Sequence, residues 1–541
     1  MLVKIASATL EGIHALPITI EVNATTGIRF SIVGLPDNAV KESHERIMSS
    51  LEYHGVRIPT RQVVINLAPA DIKKEGSGFD LPMAIGLLAA TEVMSSERLD
   101  RFMLVGELGL DGNIQPIKGA LPIAIQARKM GLEGLLVPAA NVREAAVVNS
   151  LNVYGINNIK EVIDFFNAGA PDPSTASQQL IQPTYINTRE EFFAQQYCFD
   201  YDFDEVKGQE NVKRAFEVAA AGGHNIILIG SPGCGKSMMA KRIPSILPPL
   251  SLSESLETTQ IHSVAGKLDK NRGSALITQR PFRAPHHTIS DVALVGGGTT
   301  FLPGEICLAH NGVLFLDELP EFSRNVLETL RQPLEDRIIS ISRARYNLTL
   351  PCSFMLVASM NPCPCGYHHH PQRACTCTPG QIQRYVSKIS GPLMDRIDIQ
   401  VEVESVPFED IAKAPKGESS ADIRQRVIKA RMIQQQRFEE AYQNRPQSAS
   451  SPQGTPVLKV HCNAQMSSSM LRHYVEEKFE PGCLDMLRNA MKQLNLSARA
   501  YGRILKVSRT IADLDESDCI TSRHIAEAIS YRNLDRENWA E

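Results

Sequence analysis

The sequence predicts an α/β protein built around a buried parallel sheet, and three observations carry that prediction. Very apolar short runs, Asn225–Ile229, Val313–Leu316 and Phe354–Ala358, read as strands covered on both faces. The first run leads into a glycine-rich loop that opens a helix. Short apolar runs such as Gln62–Leu67 and Phe102–Val105 alternate with helical stretches Leu81–Thr91 and Leu121–Met130, a second α/β pattern nearer the N-terminus.

The organisation follows in chain order. Residues 1–168 read as one α/β domain. Residues 169–202 read as a linker, because Gly169–Pro183 is rich in Pro, Ser, Ala and Gln. Residues 203–406 hold the apolar strands and form the second α/β domain. Residues 407–541 turn helical and strand-poor, apart from a polar gap at Asn444–Thr455. A chain of 541 residues has room for three or four such units without disulfide staples. Apolar residues at 43% and charged residues at 21% exclude a disordered or fibrous chain. With 56 basic and 60 acidic side chains the net charge is −4, so any nucleic-acid contact rests on local positive charge. No apolar run approaches the ~18 residues of a membrane span, and Met1–Val22 lacks the layout of a signal peptide. A cytoplasmic protein that does not enter membranes is expected.

Gly230-Ser231-Pro232-Gly233-Cys234-Gly235-Lys236-Ser237 fits G-x-x-x-x-G-K-S/T between a strand and a helix. Glycines let backbone N–H groups curl around phosphate, and the helix N-terminus adds partial positive charge. Lys236 would reach the β- and γ-phosphates of ATP, and Ser237 would ligate Mg²⁺. Asp317 and Glu318 end the apolar run Val313–Leu316 about 80 residues later. Asp317 would complete the Mg²⁺ shell, and Glu318 would orient and activate the attacking water. After the third strand, Asn361 is the polar candidate for contacting the γ-phosphate.

Cys363, Cys365, Cys375 and Cys377 lie among eleven cysteines, and His368 to His370 sit between the two pairs. Clustered cysteines in an intracellular chain point to metal rather than disulfide. Four thiolates would close a structural Zn²⁺ site, although C-x-C bites more tightly than the usual spacing and a histidine could replace one ligand. Two hairpin-like insertions are candidates for DNA contact. One spans about Ala284–Glu305. The other, Arg337–Pro351, presents Arg343 and Arg345 on one strand face with Tyr346 placed to stack on a base. Arg488–Arg509 carries six basic residues (Arg488, Lys492, Arg499, Arg503, Lys506 and Arg509) and no acidic ones, and is a further candidate phosphate-contacting face.

The P-loop, the acidic pair, the polar residue after the third strand and the helical C-terminal region together resemble AAA+ ATPases. Phe282–His287, Gly296–Gly298, Pro303–Ile306, Leu308–Gly312 and Asn361–Gly366 resemble, more narrowly, the YifB/ComM family, also labelled magnesium chelatase-like. The resemblance spans nearly the whole chain. It implies an ATP-driven homohexameric DNA motor, a helicase acting on single- and double-stranded or branched DNA. Such a motor promotes branch migration while transforming DNA is integrated by recombination in naturally competent bacteria. It also implies roles for two arginines. Arg396, in Leu393–Asp398, resembles an arginine finger that completes a neighbouring subunit's site. Arg499, in Leu496–Tyr501, resembles the lid residue that contacts phosphate.

Residues 1–168 resemble the proteolytic domain of Lon-type proteases (a ribosomal S5 domain 2-like fold), through Lys74–Met83 and Gly106–Ile117. That chemistry needs a serine activated by a lysine. The serine position holds Gly78 and the lysine position holds Leu121, while Ser77 and Lys118 fall out of register. The resemblance therefore implies an inactive relative used for assembly or DNA contact. Two other readings stay open: a chelatase-type motor for metal insertion, and a Lon-like ATP-dependent protease.

Overall fold

A computed structural model describes residues 1–168, 181–268, 275–298, 301–343, 346–368, 370–405, 416–443, 460–494 and 496–532. The structure is mixed α/β. The chain divides into two compact units. One comprises Met1–Gln195 with Leu252–Thr278, and the other comprises Gln196–Ser251 with Gln279–Glu541.

The first unit is built on a seven-stranded sheet. Its strands are β1 (Leu2–Glu11), β2 (His14–Thr25), β3 (Phe30–Val33), β4 (Gln62–Ala68), β5 (Phe102–Leu104), β6 (Gly134–Pro138) and β7 (Asn152–Ile156), in the order β3-β4-β2-β1-β5-β6-β7. β2 pairs antiparallel with β1 on one side and with β4 on the other, β3 pairs parallel with β4, and the β1-β5-β6-β7 half is parallel. β4 alternates buried and half-buried residues, while β6 is buried throughout, as a strand covered on both faces must be. The helix Asp80–Ala90 is buried along its whole length. It lies so close to the sheet that a side chain at Gly86 would meet Val22 Cγ2 at 2.6 Å.

Two features of this unit lie outside what the sequence patterns suggest. The segment Leu252–Thr278, which follows the P-loop in sequence, belongs here: Gly119 N donates to Ser263 O at 3.1 Å. The later part of the expected linker is also folded. Asn187 caps the helix Thr188–Ala194, Phe192 is buried, and Thr184 bridges Val153. Residues 169–180, and the whole polar gap at Asn444–Thr455, lie outside the described residues.

The second unit carries a parallel five-stranded sheet: β8 (Ile226–Gly230), β9 (Phe282–Arg283), β10 (Val313–Leu316), β11 (Met355–Met360) and β12 (Ile399–Val403). The order is β9-β10-β11-β8-β12. β8, β10 and β11 are buried at every position, matching their largely apolar character. The C-terminal helices do not form a core of their own. Val427, Ile504 and Ile511 share one apolar cluster with Phe216, Ile226 and Val357.

A buried polar knot ties this helical region to the sheet. His224 Nδ1 lies 2.9 Å from Asp398 Oδ2, and His224 Nε2 lies 2.8 Å from Thr510 Oγ1. Arg503 donates to Asp398 Oδ1 at 2.8 Å. Burial pushes His224 below its ordinary range, against the pull of Asp398. Burial also works to raise Asp398, but Arg503 and His224 outweigh it and hold the carboxyl well below the usual range. Both groups bind protons less readily folded than unfolded, so both favour folding more as pH rises. The His224 contribution is complete above about pH 6.5 and falls away below it, and the Asp398 contribution persists into the carboxylate range near pH 4. The thermal midpoint is therefore expected to drop between pH 7 and 5, and His224→Gln should flatten that slope. An unchanged slope in the variant would remove His224 as its source.

No described helix is long and apolar enough to cross a membrane.

Candidate active site

The parallel sheet brings the ends of β8, β10 and β11 side by side, because β11 pairs with both β8 and β10. Each end carries one predicted component. After β8 the chain turns through Gly233 (φ +83°) and Gly235 (φ +93°), left-handed conformations that favour glycine, and enters the helix Lys236–Ala240. Lys236 is buried. Its Nζ donates to Gly230 O at 2.7 Å, to Ser231 O at 3.0 Å and to Asn361 Oδ1 at 3.2 Å. The P-loop lysine and the polar residue after β11 thus meet directly.

Ser237 Oγ donates to Asp317 Oδ2 at 2.6 Å, which joins the two proposed Mg²⁺ residues. Ser359, the next-to-last residue of β11, donates to the other oxygen of Asp317. Its hydroxyl also lies 3.2 Å from Glu318 N, which donates to it. Ser359 is therefore the hub between the acidic pair and β11, a role the sequence reading gave to no residue. Its only signal was a serine in an otherwise apolar buried strand.

Glu318 adopts φ +55°, costly for a non-glycine residue by about 1 kcal/mol. Glu318 Oε2 lies 3.8 Å from His287 Nδ1, an ion pair whenever the imidazole is protonated. His287 stands in the Phe282–His287 motif, four residues after β9 ends. The motif was legible in sequence, but this pairing was not.

The two candidate arginines lie together, in contact with residues outside the P-loop. Arg396 donates to Pro392 O at 2.7 Å and to Glu335, and its buried Nε has no partner among the described residues. Arg499 donates to Asp395 Oδ2 at 2.6 Å, one residue from Arg396.

The cysteine sulfurs converge. All four Sγ atoms lie within 4.8 Å of one another. Cys363 Sγ is 3.3 Å from Cys365 Sγ and 3.7 Å from Cys375 Sγ, and the Cys365–Cys375 separation is 3.6 Å. A disulfide would bring two sulfurs to about 2.05 Å. Tetrahedral ligands at about 2.3 Å from zinc stand about 3.8 Å apart. The donor set fits zinc.

Of the DNA-contact candidates, Arg343 ends the strand Ile338–Arg343 and Tyr346 opens Tyr346–Pro351, directly opposite in an antiparallel hairpin. Arg345 lies outside the described residues. The other insertion contains a helix at Asp291–Val295 and a two-stranded pairing of Gly296–Gly297 with Leu302–Pro303. The expected basic face at Arg488–Arg509 needs correction. Arg503 grips Asp398, Lys506 Nζ donates to Ala464 O, and Arg509 is buried against Asp513. These three serve the interior, not a phosphate-contacting surface.

In the first unit, Ser77 Oγ donates to the Glu107 carboxylate, and the Lys118 side chain runs along Gly266. No Ser77–Lys118 hydrogen bond forms among the described residues, so the pairing that protease chemistry requires is not assembled here.

The sheet and its loops define a P-loop protein of the magnesium chelatase-like AAA+ class. A family model described as "Magnesium chelatase, subunit ChlI" matches residues 202–411. "Subunit ChlI of Mg-chelatase" matches residues 20–141, and "Magnesium chelatase, subunit ChlI C-terminal" matches residues 417–532. The chain is 40% identical over 531 residues to YifB of Escherichia coli, covering 97% of this chain and 96% of that one. It is 40% identical over 528 residues to competence protein ComM of Haemophilus influenzae, with the same coverage of 97% and 96%. A shorter likeness, 26% over 174 residues, links 29% of the chain to 20% of DNA replication licensing factor mcm7 of Schizosaccharomyces pombe. The chain belongs to the YifB/ComM family.

Proposed function

We propose that this chain is an ATP-driven DNA motor, a helicase that promotes branch migration while incoming DNA is recombined into the chromosome. The observation that carries the reading is a pair of adjacent contact groups, Lys236 with Asn361, and Ser237 with Asp317, Ser359 and the Glu318 backbone N–H. It supplies the parts for ATP hydrolysis: a P-loop for phosphate, Ser237 and Asp317 for Mg²⁺, and Glu318 for the attacking water. Competence protein ComM, alike over 97% of this chain, supports DNA as the object moved, and the partial likeness to the licensing factor points the same way.

The motor is a homohexamer in this reading, working in the cytoplasm on single-stranded, double-stranded or branched DNA. Each Arg396 would serve a neighbour's nucleotide. A structural Zn²⁺ on Cys363, Cys365, Cys375 and Cys377 completes the set of cofactors with ATP and Mg²⁺. Residues 1–168 act as a proteolytically inactive domain, which the Ser77–Glu107 contact supports.

A strand-exchange assay on three- and four-way junctions tests the reading. The unmodified protein is expected to resolve them with ATP, and Lys236→Ala is expected to fail. Junctions left intact by an active ATPase would reject branch migration. The descriptions of the matching family models favour one second reading, a chelatase-type motor for metal insertion. ATP turnover stimulated by a chelatase partner and indifferent to branched DNA would select it.

The hairpin offers a narrower prediction. Replacing Arg343 and Arg345 together by Ala is expected to weaken DNA binding uniformly across sequences. The slope of log affinity against log salt should fall by about 2 for each chain engaged. An unchanged slope would reject the hairpin as a phosphate contact.

A further inference from the structure

Between Met360 and Pro379 the described chain forms no helix or strand, so its shape depends on side chains rather than on a backbone ladder. This stretch touches the nucleotide site at three places. Cys363 follows Asn361 by two residues, and Asn361 holds Lys236 Nζ at 3.2 Å. Gly366 (φ +83°) lies directly on the P-loop: a side chain there would meet Pro232 Cδ at 2.6 Å. His370 Nε2 lies 3.4 Å from Ser405 Oγ, which lies 3.1 Å from the hydroxyl of Ser231 in the P-loop. The first two contacts sit within three residues of Cys363, and all three fall inside the Cys363–Cys377 span or beside it.

We propose that Zn²⁺ bound by Cys363, Cys365, Cys375 and Cys377 positions the P-loop and Asn361, so that nucleotide affinity depends on metal occupancy. The physical cause is loop ordering. With the metal, four ligands fix a turn whose Gly366 face buttresses Pro232 and whose first residues set Asn361 against Lys236. Without it, the loop has no backbone ladder to hold that face and, from Tyr367 to Thr378, no described residue that is buried, so the ordering cost falls on nucleotide binding instead. The four cysteines are thus positioning residues, and their metal makes the ATP site responsive to zinc supply and to thiol oxidation. This inference rests on the nucleotide and zinc readings given above.

The test uses the full chain. Zinc is released with a mercurial reagent, counted with a chromogenic chelator, and restored after thiol exchange. Binding of a fluorescent ATP analogue is measured at each stage, and far-UV circular dichroism monitors the fold. The expected result is one zinc per chain, a loss of nucleotide affinity of roughly 10–100-fold on removal, and recovery on reloading. Gly366→Ala keeps all four cysteines. It is expected to retain zinc yet bind the analogue more weakly, because its methyl group displaces the turn from Pro232. Metal-free protein with an intact fold and undiminished affinity would overturn the proposal. If removal unfolds the protein, Gly366→Ala decides, and full affinity in the zinc-loaded variant overturns it. Chains isolated without zinc that bind nucleotide normally overturn it as well. Zinc-loaded chains that bind no nucleotide would instead sink the ATP site itself, which keeps the two failures apart.

Discussion

Glu318→Gln is expected to bind ATP as tightly as the unmodified chain and to lower its turnover by about 10²–10⁴-fold. The amide keeps the size of the side chain and the backbone turn at φ +55°, so Asp317, Ser237 and Ser359 keep their contacts. What would be lost is the carboxylate proposed to take a proton from water. Lys236→Ala separates binding from chemistry. It removes the cation that bridges the Gly230 and Ser231 carbonyls to Asn361, and nucleotide binding should fail with it. Equilibrium binding of a fluorescent ATP analogue and steady-state phosphate release check both. A Glu318→Gln protein that hydrolyses ATP at the normal rate would remove Glu318 from the chemistry. His287 adds a discriminating detail: with its imidazole 3.8 Å from Glu318, His287→Ala should change the rate of turnover while leaving ATP affinity intact.

Much of this site was legible because its parts are local. Lys236 and Ser237 open one helix directly after the glycine-rich turn, Asp317 and Glu318 end one apolar run, and Asn361 follows another; each motif carries its own strand context. The parallel sheet then does the long-range work of bringing three strand ends together. What could not be read were pairings between distant residues and exceptions to local pattern. β9 is only two residues long, too short to show periodicity, yet it positions His287. Ser359 shows nothing in sequence but a polar residue in an apolar strand. The basic residues between Arg488 and Arg509 look like a phosphate-contacting face until Asp398, Ala464 O and Asp513 are seen to take three of them inward. Leu252–Thr278 reads as part of the nucleotide-binding unit by chain order and packs instead with the first unit, because Ser263 meets Gly119 there.

Arg396→Ala is expected to abolish turnover by about 10³–10⁵-fold while leaving ATP binding in place. Within one chain Arg396 is held by Pro392 O and Glu335, and neither is a nucleotide-site residue, so the proposed finger role would need a second subunit. Subunit mixing gives the stronger test. Arg396→Ala chains keep a complete P-loop, and Glu318→Gln chains keep a complete finger. In the proposed hexamer each would be inactive alone, but a mixed ring would contain interfaces where an intact P-loop faces an intact Arg396, so part of the turnover should return. A local role for Arg396 predicts no recovery, because no chain in the mixture would hold both groups. A purely structural role predicts a lowered melting temperature in Arg396→Ala, with Glu335→Ala lowered in parallel as the other half of the same ion pair. Arg499, bound to Asp395 beside the finger, ties the two outcomes together. If Arg499 leaves Asp395 to reach a chain's own nucleotide, the loop that carries Arg396 loses a restraint. Asp395→Ala should then make hydrolysis in one subunit less dependent on nucleotide in the next, read as a lower Hill coefficient for ATP.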